Sequence, residues 1–235
     1  MAGRIKIAVD TGGTFTDICL LDEDTGELSV AKVSSTPDNP ALAVIAGLLK
    51  ITNICAAQPA WVDLILHGTT VATNALLERT GARAALITTA GFRDVLYIGR
   101  QNRPSLYDFR VLKPPPLILR RHTYEVSERV LHTGEVRTPL DEEQVRVIAG
   151  DLRSRGITSV AVCLLHSYAN PCHELRIKEI FEEEHPGAFM TLSSEILPEF
   201  REYERACAAA INALVRPKID YYLGNLESGL RENGI

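Results

Sequence analysis

Asp10 and Asp17 flank the segment Thr11-Gly12-Gly13-Thr14-Phe15-Thr16, which follows the short apolar run Ile5-Lys6-Ile7-Ala8-Val9. Adjacent glycines let the backbone bend sharply and bring its N–H groups close to a ligand without a Cβ in the way. Successive N–H groups of this kind form a concavity suited to an anion. Acids beside such a loop suit a hard cation shared between carboxylate, water and phosphate oxygens. The plain alternative is a β-hairpin closed by a Gly-Gly turn. Neither G-x-x-x-x-G-K-[ST] nor G-x-G-x-x-G occurs in the chain, so a P-loop or Rossmann site has no anchor.

A second stretch, His67-Gly68-Thr69-Thr70-Val71-Ala72-Thr73-Asn74-Ala75-Leu76-Leu77-Glu78-Arg79, clusters hydroxyls and an amide where an apolar run gives way to a helix. Free N–H groups at such a junction bind anions or polarised oxygens. Simple N-capping by threonine is the competing reading, and His67 alone reads as a core-edge histidine. A third stretch runs from Gly91 to Pro104 and brings Arg100, Gln101, Asn102 and Arg103 together before a proline-rich loop. Arginine forks recognise carboxylate, phosphate or carbonyl groups; a solvated basic patch is the other reading. Cys163, His166, Cys172 and His173 have the chemistry of zinc ligands. Cys163 falls inside a strand, however, and Cys172 and His173 are adjacent, against the usual spacings.

The elements that must position these residues follow from periodicity. Residues 5–9, 16–21 and 28–33 read as three strands, with a turn at 22–26. Pro37 and Pro40 precede a helix to about Lys50. Residues 64–67 read as a buried strand, 73–79 as a helix closed by Gly81, and 82–89 as a strand. This is a βαβ pattern that predicts parallel pairing. A short helix at 91–98 and a proline-rich irregular loop at 103–121 follow. Next come a strand at 123–130, a turn at 132–135, a short strand at 136–138 and an amphipathic helix at 141–155 closed by Gly156. An apolar strand at 157–166 precedes a helix from Asn170-Pro171 to about Glu184. A long helix at 198–215 is broken by Pro217, and a last amphipathic helix reaches about Glu232.

The chain has 235 residues, 46% of them apolar and 23% charged, with a net charge of −5, as in a soluble globular protein. The acidic balance argues against nucleic-acid binding. No apolar run reaches membrane-span length, and the N-terminus shows no secretory segment. The five cysteines are odd in number and scattered, which fits reduced, buried thiols in a cytoplasmic protein.

Strand, glycine loop, strand, turn, strand resembles the opening of the actin, hexokinase and Hsp70 ATPase superfamily, where this hairpin holds the β- and γ-phosphates. The three stretches together resemble the hydantoinase A / 5-oxoprolinase / acetone carboxylase β-subunit family. So do Pro139-Leu140-Asp141-Glu142, the run from Val162 to Pro171, and Glu202-Tyr203-Glu204-Arg205. The resemblance covers essentially the whole chain. It implies an α/β, actin-like (ribonuclease H-like) lobe, a mixed sheet flanked by helices, over residues 1–197. Residues 198–235 would then be helices leading toward a second lobe absent from this chain. It further implies the ATP-binding part of an ATP-dependent hydrolase that opens cyclic amides or imides by carbonyl phosphorylation. Transfer of the γ-phosphoryl group to the carbonyl oxygen gives an imidate phosphate that water can open, and such transfer depends mainly on positioning and charge neutralisation. A ketone carboxylase subunit, a sugar- or acetate-kinase-like phosphotransferase and a non-catalytic partner-binding fragment are the alternatives.

Within that reading ATP and Mg²⁺ are the cofactors. Asp10, Thr11, Gly12, Gly13, Thr14 and Asp17 form the cofactor-binding set: the N–H groups of Gly12, Gly13 and Thr14 cradle the phosphates, and Asp10 and Asp17 orient Mg²⁺ and its waters, with Asp10 holding the ion through water. Thr69, Thr70, Asn74 and Arg100 face the substrate. The partners are the second lobe and a hydantoinase B-type subunit. Alone, the chain is expected to fold without catalysing. It is also expected to self-associate through an exposed apolar face formed by Ile211, Leu214, Val215, Ile219, Tyr222, Leu223 and Leu226.

Overall fold

The computed structural model describes residues 4–108 and 110–235. It is an α/β fold of mixed sheets flanked by helices. The chain forms two compact units, Met1–Thr80 with Lys218–Ile235, and Gly81–Pro217.

The first unit opens with β1 (Ile5–Thr11), β2 (Phe15–Asp22) and β3 (Leu28–Ser34), then helix α1 (Pro40–Ile54), β4 (Val62–Thr69) and α2 (Val71–Leu77). The sheet order is β3-β2-β1-β4. The first three strands are antiparallel, and β4 runs parallel to β1. The strict alternation in β1 and β2 has a physical outcome. Ile5, Ile7, Val9, Ile18 and Leu20 point to one face and are buried under α1 residues Val44, Leu48 and Ile51. The other face carries Ala8, Asp10, Asp17 and Val30 and is open.

The second unit contains β5 (Ala84–Thr89), α3 (Val95–Ile98), β6 (Thr123–Val126), β7 (Arg129–Val130), β8 (Val136–Thr138), α4 (Glu142–Ser154), β9 (Ser159–Cys163), α5 (Cys172–Glu184), β10 (Phe189–Leu192) and α6 (Ser193–Ile196). Its main sheet is parallel throughout, in the order β10-β9-β5-β6. Strands buried on both faces read as continuous apolar runs, and β5 and β9 are buried at every position. Helix α4 is capped by Asp141, whose carboxylate accepts from Gln144 N.

Helix α7 (Glu202–Glu232) is continuous for 31 residues with Pro217 inside it. This overturns the expected break. A proline removes one helical N–H and crowds the preceding turn, which orphans carbonyls there. Here Ser159 Oγ donates to the Ala213 carbonyl at 2.5 Å and Ala82 N to the Leu214 carbonyl at 2.9 Å. The ladder therefore loses bonds without leaving buried acceptors empty. Gly81 owes its place to the same contact. It does not take the left-handed C-terminal position, which Arg79 occupies at φ 55°. Instead, a Cβ on Gly81 would lie 2.8 Å from the Leu214 carbonyl oxygen.

Four more expectations change. β4 and β5 lie in different sheets, so residues 62–89 are not a βαβ unit; the parallel partners are β1 for β4, and β6 and β9 for β5. β4 is an edge strand with Leu64 and Leu66 exposed, not a buried one. The apolar face expected to be open at 211–226 is largely covered. Tyr222 and Leu226 belong to the core of the first unit, Ile211, Leu214, Val215 and Ile219 are partly buried, and Leu223 is exposed. Among the cysteines, all free, Cys163 is buried, but Cys19 is only partly so. No helix among the described residues is long and apolar enough to cross a membrane.

Candidate functional site

The pairing register lines up four residues across the open face at the loop end of the first sheet. Gly68 on β4 stands opposite Asp10 on β1, Asp10 opposite Asp17 on β2, and Asp17 opposite Lys32 on β3. Two carboxylates directly opposite each other repel and cost stability. Lys32 Nζ sits 3.0 Å from Asp17 Oδ1 and offsets half of that charge. Asp10 has no hydrogen-bond or ion-pair partner among the described residues. Gly68 leaves open the space beside it, since a Cβ there would lie 3.4 Å from Asp10 Oδ1. An unbalanced carboxylate pair with free space and solvent access is suited to a hard divalent cation that keeps part of its water shell. Below this row, Ala8, Cys19, Val30 and Leu66 floor a shallow open depression of about 560 Å³ that reaches Asp10 and Asp17.

The glycine loop between β1 and β2 is braced from two sides. Ser35, just past β3, donates its N–H to Thr14 O at 2.9 Å and its hydroxyl to Gly12 O at 2.8 Å, and its Oγ lies 3.1 Å from Thr16 Oγ1. On the other side Thr70 N and Thr70 Oγ1 both reach Thr11 O, at 3.3 and 3.4 Å. Asn74 Nδ2 donates to Thr70 Oγ1 at 3.3 Å and lies 3.9 Å from where a Gly13 Cβ would be. The second motif thus belongs beside the glycine loop. Thr70 is the N-cap of α2 by position, yet its hydroxyl is spent on Thr11, and Thr69 Oγ1 takes the Val71 N–H at 3.2 Å.

His67 points to the other face, where it pairs through Nε2 with the hydroxyl of Tyr222 on α7. Burial lowers its pKa below the ordinary histidine value, against opposing pulls from the Val9 backbone and the Asp10 charge. The neutral ring is therefore the folded form, and the unfolded chain takes up the proton first as pH falls. The resulting stability is present above about pH 6.5 and is lost as pH drops below that value toward the folded pKa. The melting-temperature gap between wild type and His67→Gln is expected to narrow from about pH 8 to about pH 5.5 in scanning calorimetry. A gap independent of pH would show that the ring is not titrating in this window.

Arg100 belongs to the second unit. Its Nε pairs with Glu204 Oε1 at 2.8 Å and its guanidinium stacks 5.8 Å from the Tyr203 ring centroid. The Glu202-Tyr203-Glu204-Arg205 stretch is thereby explained as the seat of the third motif. The candidate zinc ligands are otherwise engaged: His173 Nδ1 pairs with Glu128 at 2.7 Å and His166 Nδ1 with Val130 O at 2.8 Å. Among the described residues no group of three or more His, Cys, Asp or Glu could hold a metal ion. Sequence reasoning overlooks Lys32 and Ser35. A serine directly before the Thr36-Pro37 turn is the available signal for Ser35.

The family model for the hydantoinase/oxoprolinase N-terminal region matches residues 6–185. The chain belongs to the hydantoinase/oxoprolinase family. It is 31% identical to the caprolactamase α subunit of Pseudomonas jessenii over 98% of its own length and 34% of the relative's. The crystal structure of that organism's ATP-dependent caprolactamase superposes over 97% of this chain and 34% of the matched one with a TM-score of 0.85. Nucleotide-free acetone carboxylase, 27% identical, superposes over 99% of this chain and 35% of its own with a TM-score of 0.87. 5-Oxoprolinase 1 of Arabidopsis thaliana is 33% identical over 96% of this chain and 20% of its own. The chain spans about a third or less of the length of these relatives. Within the hydantoinase/oxoprolinase family the matched region takes in the glycine loop, the opposed acids and the Thr70-Asn74 brace.

Proposed function

We propose that the first unit is the phosphate- and Mg²⁺-binding part of an ATP-dependent enzyme that activates a carbonyl group, opening a cyclic amide or imide. The observation that carries this reading is the Asp10–Asp17 pair set directly across β1 and β2 beside a braced glycine loop. The strand order β3-β2-β1-β4, antiparallel then parallel, supports an actin-like lobe, and the names of the caprolactamase and 5-oxoprolinase relatives support the substrate class.

In this reading the N–H groups of Gly12, Gly13 and Thr14 cradle phosphate oxygens, with Thr11 completing the strand end from which the loop springs. Asp10 orients the waters of Mg²⁺ and Asp17 completes its anionic seat. The bound ion supplies charge neutralisation of the phosphates. Thr69, Thr70 and Asn74 hold the loop in shape and offer polar groups at its flank. Arg100 acts in the second unit on the substrate side. A second lobe and a B-type subunit complete the assembly, and the protein works in the cytoplasm. Ketone carboxylation is the second reading, favoured by the superposition on acetone carboxylase, and it shares the phosphorylation of a carbonyl oxygen.

The test is nucleotide turnover by the complete enzyme assembly containing this chain. Candidate substrates are 5-oxoproline, N-methylhydantoin and caprolactam, and acetone with bicarbonate. Stimulation of ADP release by a cyclic amide is the expected result. Stimulation by acetone alone would select the carboxylase reading, and substrate opening without nucleotide would overturn both.

A further inference from the structure

We infer that Lys32 is a catalytic residue that contacts the transferred phosphoryl group. This rests on reading the glycine loop as the phosphate site. Lys32 is the last residue in the row Gly68, Asp10, Asp17, Lys32. Among the described residues it is the cation ion-paired to either carboxylate. Stability does not account for it, because both partners are more than half exposed, at 57% and 56%, and exposed pairs contribute little.

Electrostatics do account for it. Two carboxylates and a nucleoside triphosphate bring far more negative charge than one dication can balance, and phosphoryl transfer is catalysed mainly by neutralising charge on the moving group. The ammonium group has a flexible stem and a second neighbour on the open face, the Phe15 ring, whose centroid lies 5.2 Å from Nζ. Asp10 and Asp17 would hold a hydrated dication, whose charge would stand in for Lys32 beside Asp17, and the Lys32 ammonium group would then be available to phosphate oxygens. In the step itself the bond between the terminal phosphorus and the bridging oxygen of the nucleotide breaks as the substrate carbonyl oxygen bonds to that phosphorus. The nucleoside diphosphate leaves with the electron pair. Lys32 stays protonated throughout and transfers nothing.

The complete enzyme carrying Lys32→Gln is expected to keep its melting temperature and its affinity for ADP with Mg²⁺. It is expected to lose about a hundredfold in kcat, as for removal of one preorganised donor, with little change in KM for ATP. Lys32→Arg should recover a substantial part. Calorimetry gives a readout independent of turnover. Aluminium fluoride should tighten ADP binding in wild type and fail to do so in Lys32→Gln. A variant with kcat within about threefold of wild type and a lower Mg²⁺ requirement would overturn the inference, because Lys32 would then only shield Asp17. Asp10→Asn separates the two levels. ADP–Mg²⁺ affinity indifferent to Asp10→Asn would sink the phosphate-site reading, and Lys32 with it. Affinity weakened by Asp10→Asn and unaffected by Lys32→Gln, with kcat retained in the latter, would sink Lys32 alone.

Discussion

Asp10→Asn is expected to cut substrate-dependent ATP hydrolysis of the complete enzyme by at least about tenfold, the cost of a lost positioning group, while leaving the fold as stable or more so. The two effects have one origin. Asp10 and Asp17 face each other across an antiparallel pair, and only Asp17 has a countercharge, at 3.0 Å from Lys32. Like charges so placed destabilise a sheet by up to about 1 kcal/mol, so replacing one by an isosteric amide relieves repulsion. The same change removes the carboxylate that has no partner among the described residues, the group available to a hydrated cation. Steady-state ADP release and a denaturant midpoint measured on the same preparation check the pair of effects. Loss of activity together with loss of stability would mean that Asp10 serves the strand ending. Unchanged activity would reduce the loop to a turn.

Glu174→Ala should be the most damaging change in the second unit, destabilising it by at least about 3 kcal/mol. Glu174 lies in the first turn of α5 and is fully buried. Its Oε1 accepts from Leu164 N at 2.9 Å and Ser193 Oγ at 2.7 Å. Its Oε2 accepts from Ser194 N at 2.9 Å and Ser194 Oγ at 2.7 Å. One carboxylate thus joins the end of β9, the start of α6 and the N-terminus of α5, where the helix dipole also favours negative charge. Truncation strands the buried Leu164 N–H and the part-buried N–H and hydroxyl of Ser194 around a cavity, while Ser193 Oγ keeps only Ser167 Oγ, at 3.2 Å. On the other side of the same residue, buried Arg205 donates from Nη2 to the Leu164 carbonyl at 2.6 Å. Hydrogen exchange at the β9 and β10 amides, with a urea midpoint, reads the effect out. A midpoint within about 1 kcal/mol of wild type would show that the surrounding groups re-pair without it. Glu174→Gln should fall between, since it keeps the shape but presents an N–H₂ to one pair of donors.

Local chemistry made much of the first unit legible. Alternation in residues 5–9 and 16–21, the Gly12-Gly13 bend and the 22–26 turn predict β1, β2 and β3 closely, because side-chain period and turn chemistry are set over a few residues. Pro40 and Asp141 likewise mark where α1 and α4 begin. The motif at 67–79 was legible as a polar cluster, but its location was not. That it braces the glycine loop through Thr70 and Asn74 depends on β4 pairing with β1, which lies far back in the chain.

Other features were decided by tertiary contacts. Strand β10 and the helix α6 after it are too short to show a period. They exist because β9 offers a parallel partner and Glu174 accepts the Ser194 N–H and the Ser193 and Ser194 hydroxyls at the start of α6. Pro217 stays within α7 because Ser159 and Ala82 take the role of the missing ladder partners. The pattern from 62 to 89 looks like one βαβ unit, yet its strands join different sheets, since β4 is taken by β1 and β5 by β9. Lys32 enters the candidate site in the same way. In sequence it is a polar residue on a half-exposed strand. Only the register of β2 on β3 sets it beside Asp17, and register is fixed by which face of each strand is buried. Sequence determined the residue types and the local bends; the long-range pairing of strands decided which charges meet.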